Sequence, residues 1–208
     1  MNIKKCLWLF FLCFLSAPSI QAQRNYIDIP NYILCINSYA ESTPWSTRMI
    51  STISEYVQKD PQLALYAEHM NTFMIDNDSI LKEFKNMLSQ KYTQPHPRLL
   101  VLLGSPAFTL RDEYRKLWGD IPIILCSEEA FQGPHEAYLQ KQAIKSEDRT
   151  PIAQFAEPYN MVFLYSNLYL RENVQLINHI KSNIKKFIFI GDEREINLSA
   201  SLDIQNEL

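Results

Sequence analysis

The chain has 208 residues, and removing Lys4 and Lys5 from its 20 basic residues leaves 18 against 23 acidic ones, a net charge of −5. Lys and Arg cluster nowhere beyond Lys181, Lys185 and Lys186, which argues against a nucleic-acid partner, since that needs concentrated cations along its phosphates. About 186 residues remain after the N-terminal leader described next, enough for one large domain or two small lobes.

Lys4 and Lys5 precede an apolar run, Cys6 to Leu15, that is too short to span a bilayer. Ser16-Ala17-Pro18 breaks it, and Ile20-Gln21-Ala22 places a small residue at a cleavage position. Residues 1–22 therefore read as a secretory signal peptide and 23–31 as a lead-in, with an uncleaved anchor as the alternative. Export to the periplasm or the extracytoplasmic face of a membrane follows. Cys6 and Cys13 would leave with the signal; Cys35 and Cys126, each inside an apolar run, are expected as buried free thiols rather than a disulfide.

Short apolar runs then alternate with helical periods, the pattern of a Rossmann-like α/β parallel sheet flanked by helices. Residues 32–37 (YILCIN) read as a strand buried on both faces. Thr43 caps a helix with Pro44 at its first position and a stripe of Trp45, Met49, Ile53, Tyr56 and Val57, which Asp60-Pro61 stops. A more polar strand over 63–69 suits a sheet edge, and a helix with Ile80, Leu81, Phe84, Met87 and Leu88 on its buried side follows. Residues 99–103 (LLVLL) form the most apolar strand; Ser105 and Pro106 open a helix through Phe108, Tyr114 and Leu117 that closes at Gly119, and 121–126 form a fourth strand. Residues 131–158, with Pro134, Pro151 and Pro158, read as a crossing between a first lobe (32–130) and a second (159–208). The second lobe holds a strand over 160–166, a helix burying Val174, Ile177, Ile180 and Ile184, a sixth strand over 187–191 (FIFIG) and one last helix-length segment.

Four glycines supply no dinucleotide or P-loop fingerprint, and the four histidines and two mature cysteines have no metal-ligand spacing. No G-x-S-x-G elbow is present, so no cofactor, no metal and no catalytic residue is expected. Adjacent carboxylates, Glu128-Glu129 and Asp192-Glu193, follow strands; solvated charges explain them more simply than an acid/base pair. What remains is position, since open α/β sheets bind ligands beyond the carboxyl ends of their strands. Those ends carry Ser38, Tyr39 and Trp45, then Ser105, then Ser127 and Glu128. The hydroxyls suit a polar ligand group and the aromatic rings suit stacking, although Trp45 also suits core packing and Ser105 plain N-capping.

The order of an export signal, NSYAESTPWSTRMI, GSPAFTL, IPIILCSEE, a proline-containing crossing and NVQLINHIKSNIKKFIFIGDE resembles ABC-type periplasmic substrate-binding proteins, above all those fused as N-terminal sensors to (hybrid) two-component histidine kinases. The resemblance spans residues 32–195. It implies two lobes closing on a small molecule without chemistry, with Ser38, Tyr39, Trp45, Ser105, Ser127 and Glu128 on one side and Asn167 facing them from the other. It also implies a membrane-bound kinase module as partner, or an ABC permease if the protein is a free-standing solute-binding protein. An exported α/β enzyme is the third reading. The chain stops at Leu208, midway through the expected second lobe, so either it is a fragment of a longer protein, with exposed sheet edges and helix faces that favour a homodimer, or its last strands join the first sheet.

Overall fold

The structure is a computed structural model that describes residues 31–75, 77–166, 169–181, 184–186 and 188–207. The signal-like residues 1–22 and Asn167 therefore lie outside the described residues.

Five parallel strands form one sheet in the order β2-β1-β3-β4-β7. In chain order they are β1 (Tyr32–Asn37), β2 (Ala64–His69), β3 (Leu99–Leu103), β4 (Ile123–Ser127) and β7 (Met161–Tyr165), with a two-residue antiparallel pair, β5 (Phe131–Gln132) and β6 (Thr150–Pro151), between the last two. The helices are α1 (Pro44–Val57), α2 (Asp78–Lys91), α3 (Ser105–Phe108), α4 (Arg111–Trp118), α5 (His135–Leu139), α6 (Leu170–Ile180) and α7 (Glu195–Glu207). The chain leaves β1 in one direction to form β2 and returns past β1 to β3. The carboxyl ends of β1 and β3 thus form a topological switch point.

Alternation along the strands divides the core in two. Leu34, Ile36, Leu100, Leu102 and Leu125 face α2 and α4, meeting Leu81, Leu88, Tyr114 and Trp118. Cys35, Val101, Leu103 and Cys126 point to the other face, where α1 brings Trp45, Met49, Ile50 and Ile53. Both cysteines are free thiols, and burial pushes the Cys35 thiol up to about 12. The expected helix stripe holds except at Tyr56, which is exposed with the Lys59 ammonium 4.2 Å over its ring.

Three expected features take a different form. Residues 105–119 are two helices, because the chain turns at Thr109 and Leu110 between α3 and α4. Gly104, not Ser105, holds the N-cap position of α3, and Thr43 stands at its cap position without a side-chain bond.

The strand expected to open a second lobe pairs with β4 from Ile123↔Met161 to Ser127↔Tyr165 and completes the first sheet. Residues 128–160 therefore cross between neighbouring strands of one sheet. Ile152 is fully buried in the main core, and Phe155 and Tyr159 pack on Phe108 with ring centroids 5.4 and 5.9 Å away. Pairing with β7 satisfies the edge of β4, which two separate lobes would leave bare.

The apolar stripe of α6 is not buried: Ile177 and Ile180 are exposed, and only Val174 and Ile184 are half-covered. Ile188, Phe189 and Ile190 belong to no strand and are exposed, Ile190 to 90%. Phe187 lies outside the described residues. An apolar run states what a segment gains by burial; whether a sheet edge reaches it is decided by the rest of the chain. Among the described residues, no helix is long and apolar enough to cross a membrane.

Candidate functional site

The switch point is filled by the protein's own side chains. Ser38 Oγ accepts from the Ala107 N–H at 2.8 Å and donates to the Gly104 carbonyl at 3.2 Å. Its backbone carbonyl accepts from both the N–H and the hydroxyl of Thr72, each at 2.8 Å. A hydroxyl from the residue after β1 thus supplies the cap of α3 that Ser105 was expected to supply. Asn37 bonds His69 Nδ1 at 2.9 Å and the backbone of Tyr39, closing the β1 end towards β2. Gly104, at φ +90°, lets this packing close, since a Cβ there would lie 2.8 Å from both Ser38 Oγ and the Tyr39 hydroxyl oxygen.

Tyr39 links this plug to the next strand end. The side chain is buried, its ring meets Trp45 edge-on at 5.9 Å, and its hydroxyl donates to Glu128 Oε2 at 2.9 Å. Burial first, and the Glu128 carboxylate second, hold the phenol well above its ordinary pKa, so it remains a donor. Ser105 and Ser127 share a hydrogen bond at 2.8 Å, and Ser127 Oγ also accepts the Glu129 N–H at 3.1 Å. Trp45 packs with α1 against the sheet.

The open space lies one strand further along, beyond the carboxyl ends of β4 and β7. A cavity of about 500 Å³ is lined by Glu128, Glu129, Phe131, Arg149, Tyr165 and Asp203 among others, with the first turn of α6 and one face of α7 closing it. Of the residues singled out from the sequence, Glu128 lines this cavity, Tyr39 contacts it through Glu128, and Ser127 orients the neighbouring backbone. Ser38, Ser105 and Trp45 belong to the packed layer behind it.

Its electrostatics are acidic. Arg149 is the one cation among the described lining residues, and its fork is occupied: Nη1 and Nη2 hold the two Asp203 oxygens at 3.0 and 2.8 Å, while Nε and Nη2 donate to the Ile144 carbonyl. This bidentate pair ties α7 to the crossing. Glu129 is 9% exposed, and its carboxyl oxygens accept no hydrogen bond from a described residue. Burial, together with Glu195 and Glu128 nearby, pushes it up to about 8, while Arg149 pulls the other way. Burial also raises Glu195, to about 7, against the opposing effects of its own N–H and of Arg194. No cluster of metal-ligating groups occurs among the described residues.

Glu129, Arg149, Glu195 and Asp203 were not legible as site residues. Glu129 offered the one signal, a second carboxylate directly after a strand. Arg149 and Asp203 are 54 positions apart and meet because α7 lies against the crossing, where Ser199 also accepts the Ile144 N–H. Comparison of the chain with protein-family models, with curated proteins and with solved structures finds no match in any of the three.

Proposed function

We propose that this chain is an extracytoplasmic small-molecule-binding domain that acts as the sensor of a membrane-bound histidine kinase, itself performing no chemistry. The observation that carries the binding reading is the cavity beyond the carboxyl ends of β4 and β7, on the side of the sheet where open α/β sheets hold their ligands. Its mixture of apolar walls (Phe131, Ile196, Ala200) with a few convergent polar groups is the make-up of a ligand pocket. The exported, extracytoplasmic setting rests on the signal-like residues 1–22 and the kinase partner on the family resemblance of residues 32–195. A ligand touching both the loop after β4 and the start of α6 would bias the position of α6, whose exposed apolar stripe is available to pass that bias on.

The test is a thermal-shift screen of the purified protein against amines, amino acids, sugars, nucleobases and organic acids. A ligand that binds the native state at 100 times its Kd adds about 2.7 kcal/mol of stability. One ligand class raising Tm supports the reading; a cooperative melt that no class shifts refutes it. A delivery role beside an ABC permease is distinguished by the neighbouring genes. One observation favours a second reading, an exported hydrolytic enzyme. Glu129 and Glu195, both raised towards neutrality beside a cavity, suit general acid and base work. Substrate turnover that Glu129→Gln abolishes would establish it.

A further inference from the structure

We infer that the ligand of this cavity carries a protonated amino group, seated against the carboxyls of Glu129 and Glu128, with its apolar part along Phe131, Ile196 and Ala200. The inference rests on the binding reading above and names the chemistry of that site.

Charge is the first argument. Glu128, Glu129, Glu172 and Asp203 line the cavity against the single guanidinium of Arg149, which already holds Asp203. A carboxylate or phosphate ligand would meet no free cation among these described side chains and would desolvate beside the carboxyls of Glu128, Glu129 and Glu172. Hydrogen bonding is the second and independent argument. Glu129 is about nine-tenths buried, lines the cavity and accepts no hydrogen bond from a described residue, so a donor for it can come from the cavity side. An ammonium brings three donors and no acceptor, the complement of this group. Glu128 is fixed for the same task, since the Tyr39 hydroxyl holds one of its oxygens at 2.9 Å. Tyr165 and Tyr169 line the same cavity with half-exposed rings whose faces suit a cation or a ring on the ligand.

Binding is then coupled to protons. Glu129 is held up to about 8 by burial, Glu195 and Glu128, with Arg149 opposing and Asp203 adding to the rise. Burial holds Glu195 up to about 7, with its own N–H and Arg194 opposing and Glu128 and Asp192 adding to the rise. An ammonium favours the ionised carboxylate, so it expels the Glu129 proton, and affinity strengthens as pH rises towards 8, by up to about tenfold per pH unit.

The experiment is calorimetric titration of the protein with 1,4-diaminobutane, tyramine and glucosamine, against the neutral 1,4-butanediol and glucose and the anionic succinate, at pH 6 and pH 8. At least one amine should bind, at least tenfold more tightly at pH 8. Glu129→Gln should weaken it at least tenfold, and Glu128→Gln should weaken it independently, with a cooperative melt retained in either variant. Binding of a neutral compound or succinate while the amines stay silent overturns the amine assignment and leaves the binding reading standing. Amine binding indifferent to both substitutions overturns it as well. Silence across the whole panel and the broader screen removes both.

Discussion

Replacing Gly104 by alanine tests the packing that closes the switch point. Gly104 sits at φ +90° and ψ 147°, close to the region that essentially only glycine visits, and an L side chain there costs about 1–3 kcal/mol. The added Cβ would also lie 2.8 Å from Ser38 Oγ, 2.8 Å from the Tyr39 hydroxyl oxygen and 2.9 Å from its Cζ, all on well-buried side chains held by hydrogen bonds. Overpacking of this kind costs about 1–3 kcal/mol more, and the stiffer unfolded chain of the alanine variant returns about 0.5–1 kcal/mol. The expected net loss is about 1–5 kcal/mol. Gly119 is the internal control: it has φ +78°, but nothing lies within 4 Å of where its Cβ would be. Gly119→Ala therefore carries the backbone term alone, about 0–2.5 kcal/mol after the same entropic return. Urea unfolding followed by tryptophan fluorescence measures both, with an unchanged m value as the condition for comparing them. If Gly104→Ala costs no more than Gly119→Ala at equal m, Ser38 and Tyr39 are not packed against this turn and the description of the plug is wrong.

Three further outcomes are expected. Ser38→Ala leaves the buried Ala107 N–H without its acceptor and should cost about 1–3 kcal/mol in the same unfolding experiment, whereas a loss below about 0.5 kcal/mol would show that water caps α3 instead. Glu129 binds a proton in the folded state up to about pH 8 but in the unfolded chain only up to its ordinary 4.5, so the protein's stability should fall as pH rises through that window, by at most about 1.4 kcal/mol per unit. Glu129→Gln should flatten the part of that slope between pH 7 and 8 and be the more stable form at pH 8, while Glu195 keeps a slope below pH 7; an unchanged profile would mean that Glu129 is ionised and solvated. Cys35 and Cys126, buried and raised by that burial, should resist a thiol reagent in the native protein and react in urea, as site-resolved mass spectrometry would report; rapid native labelling of either would contradict the core assignment.

Local chemistry made the elements legible. The runs YILCIN and LLVLL became β1 and β3 over the residues expected, because a strand buried on both faces needs an unbroken apolar run and little else does. Pro44 opened α1, the stripe of Leu81, Phe84 and Leu88 turned α2 onto the core, and the polar strand over 64–69 took a sheet edge. Glu128 could be placed at a strand end for the same reason, and it lines the cavity.

Partnership was beyond the sequence. NMVFLY has the composition of a strand in either lobe, and pairing with β4 places it in the first sheet, where the buried Ile152 and the half-buried Phe155 hold the crossing against the same core. FIFI is more apolar still, yet its described residues pair with nothing, because hydrophobicity measures the gain from burial and carries no information about which edge arrives. The same limit applies to side chains. Ser38 carries the chemistry of a ligand-binding hydroxyl, and only the approach of Ala107 from 69 residues away makes it a helix cap. Glu129 has the chemistry of a solvated charge until Glu195 and the crossing close over it. A sequence specifies what each residue can bond to, whereas tertiary structure decides which bonds are already taken, and a site is made of the groups left over.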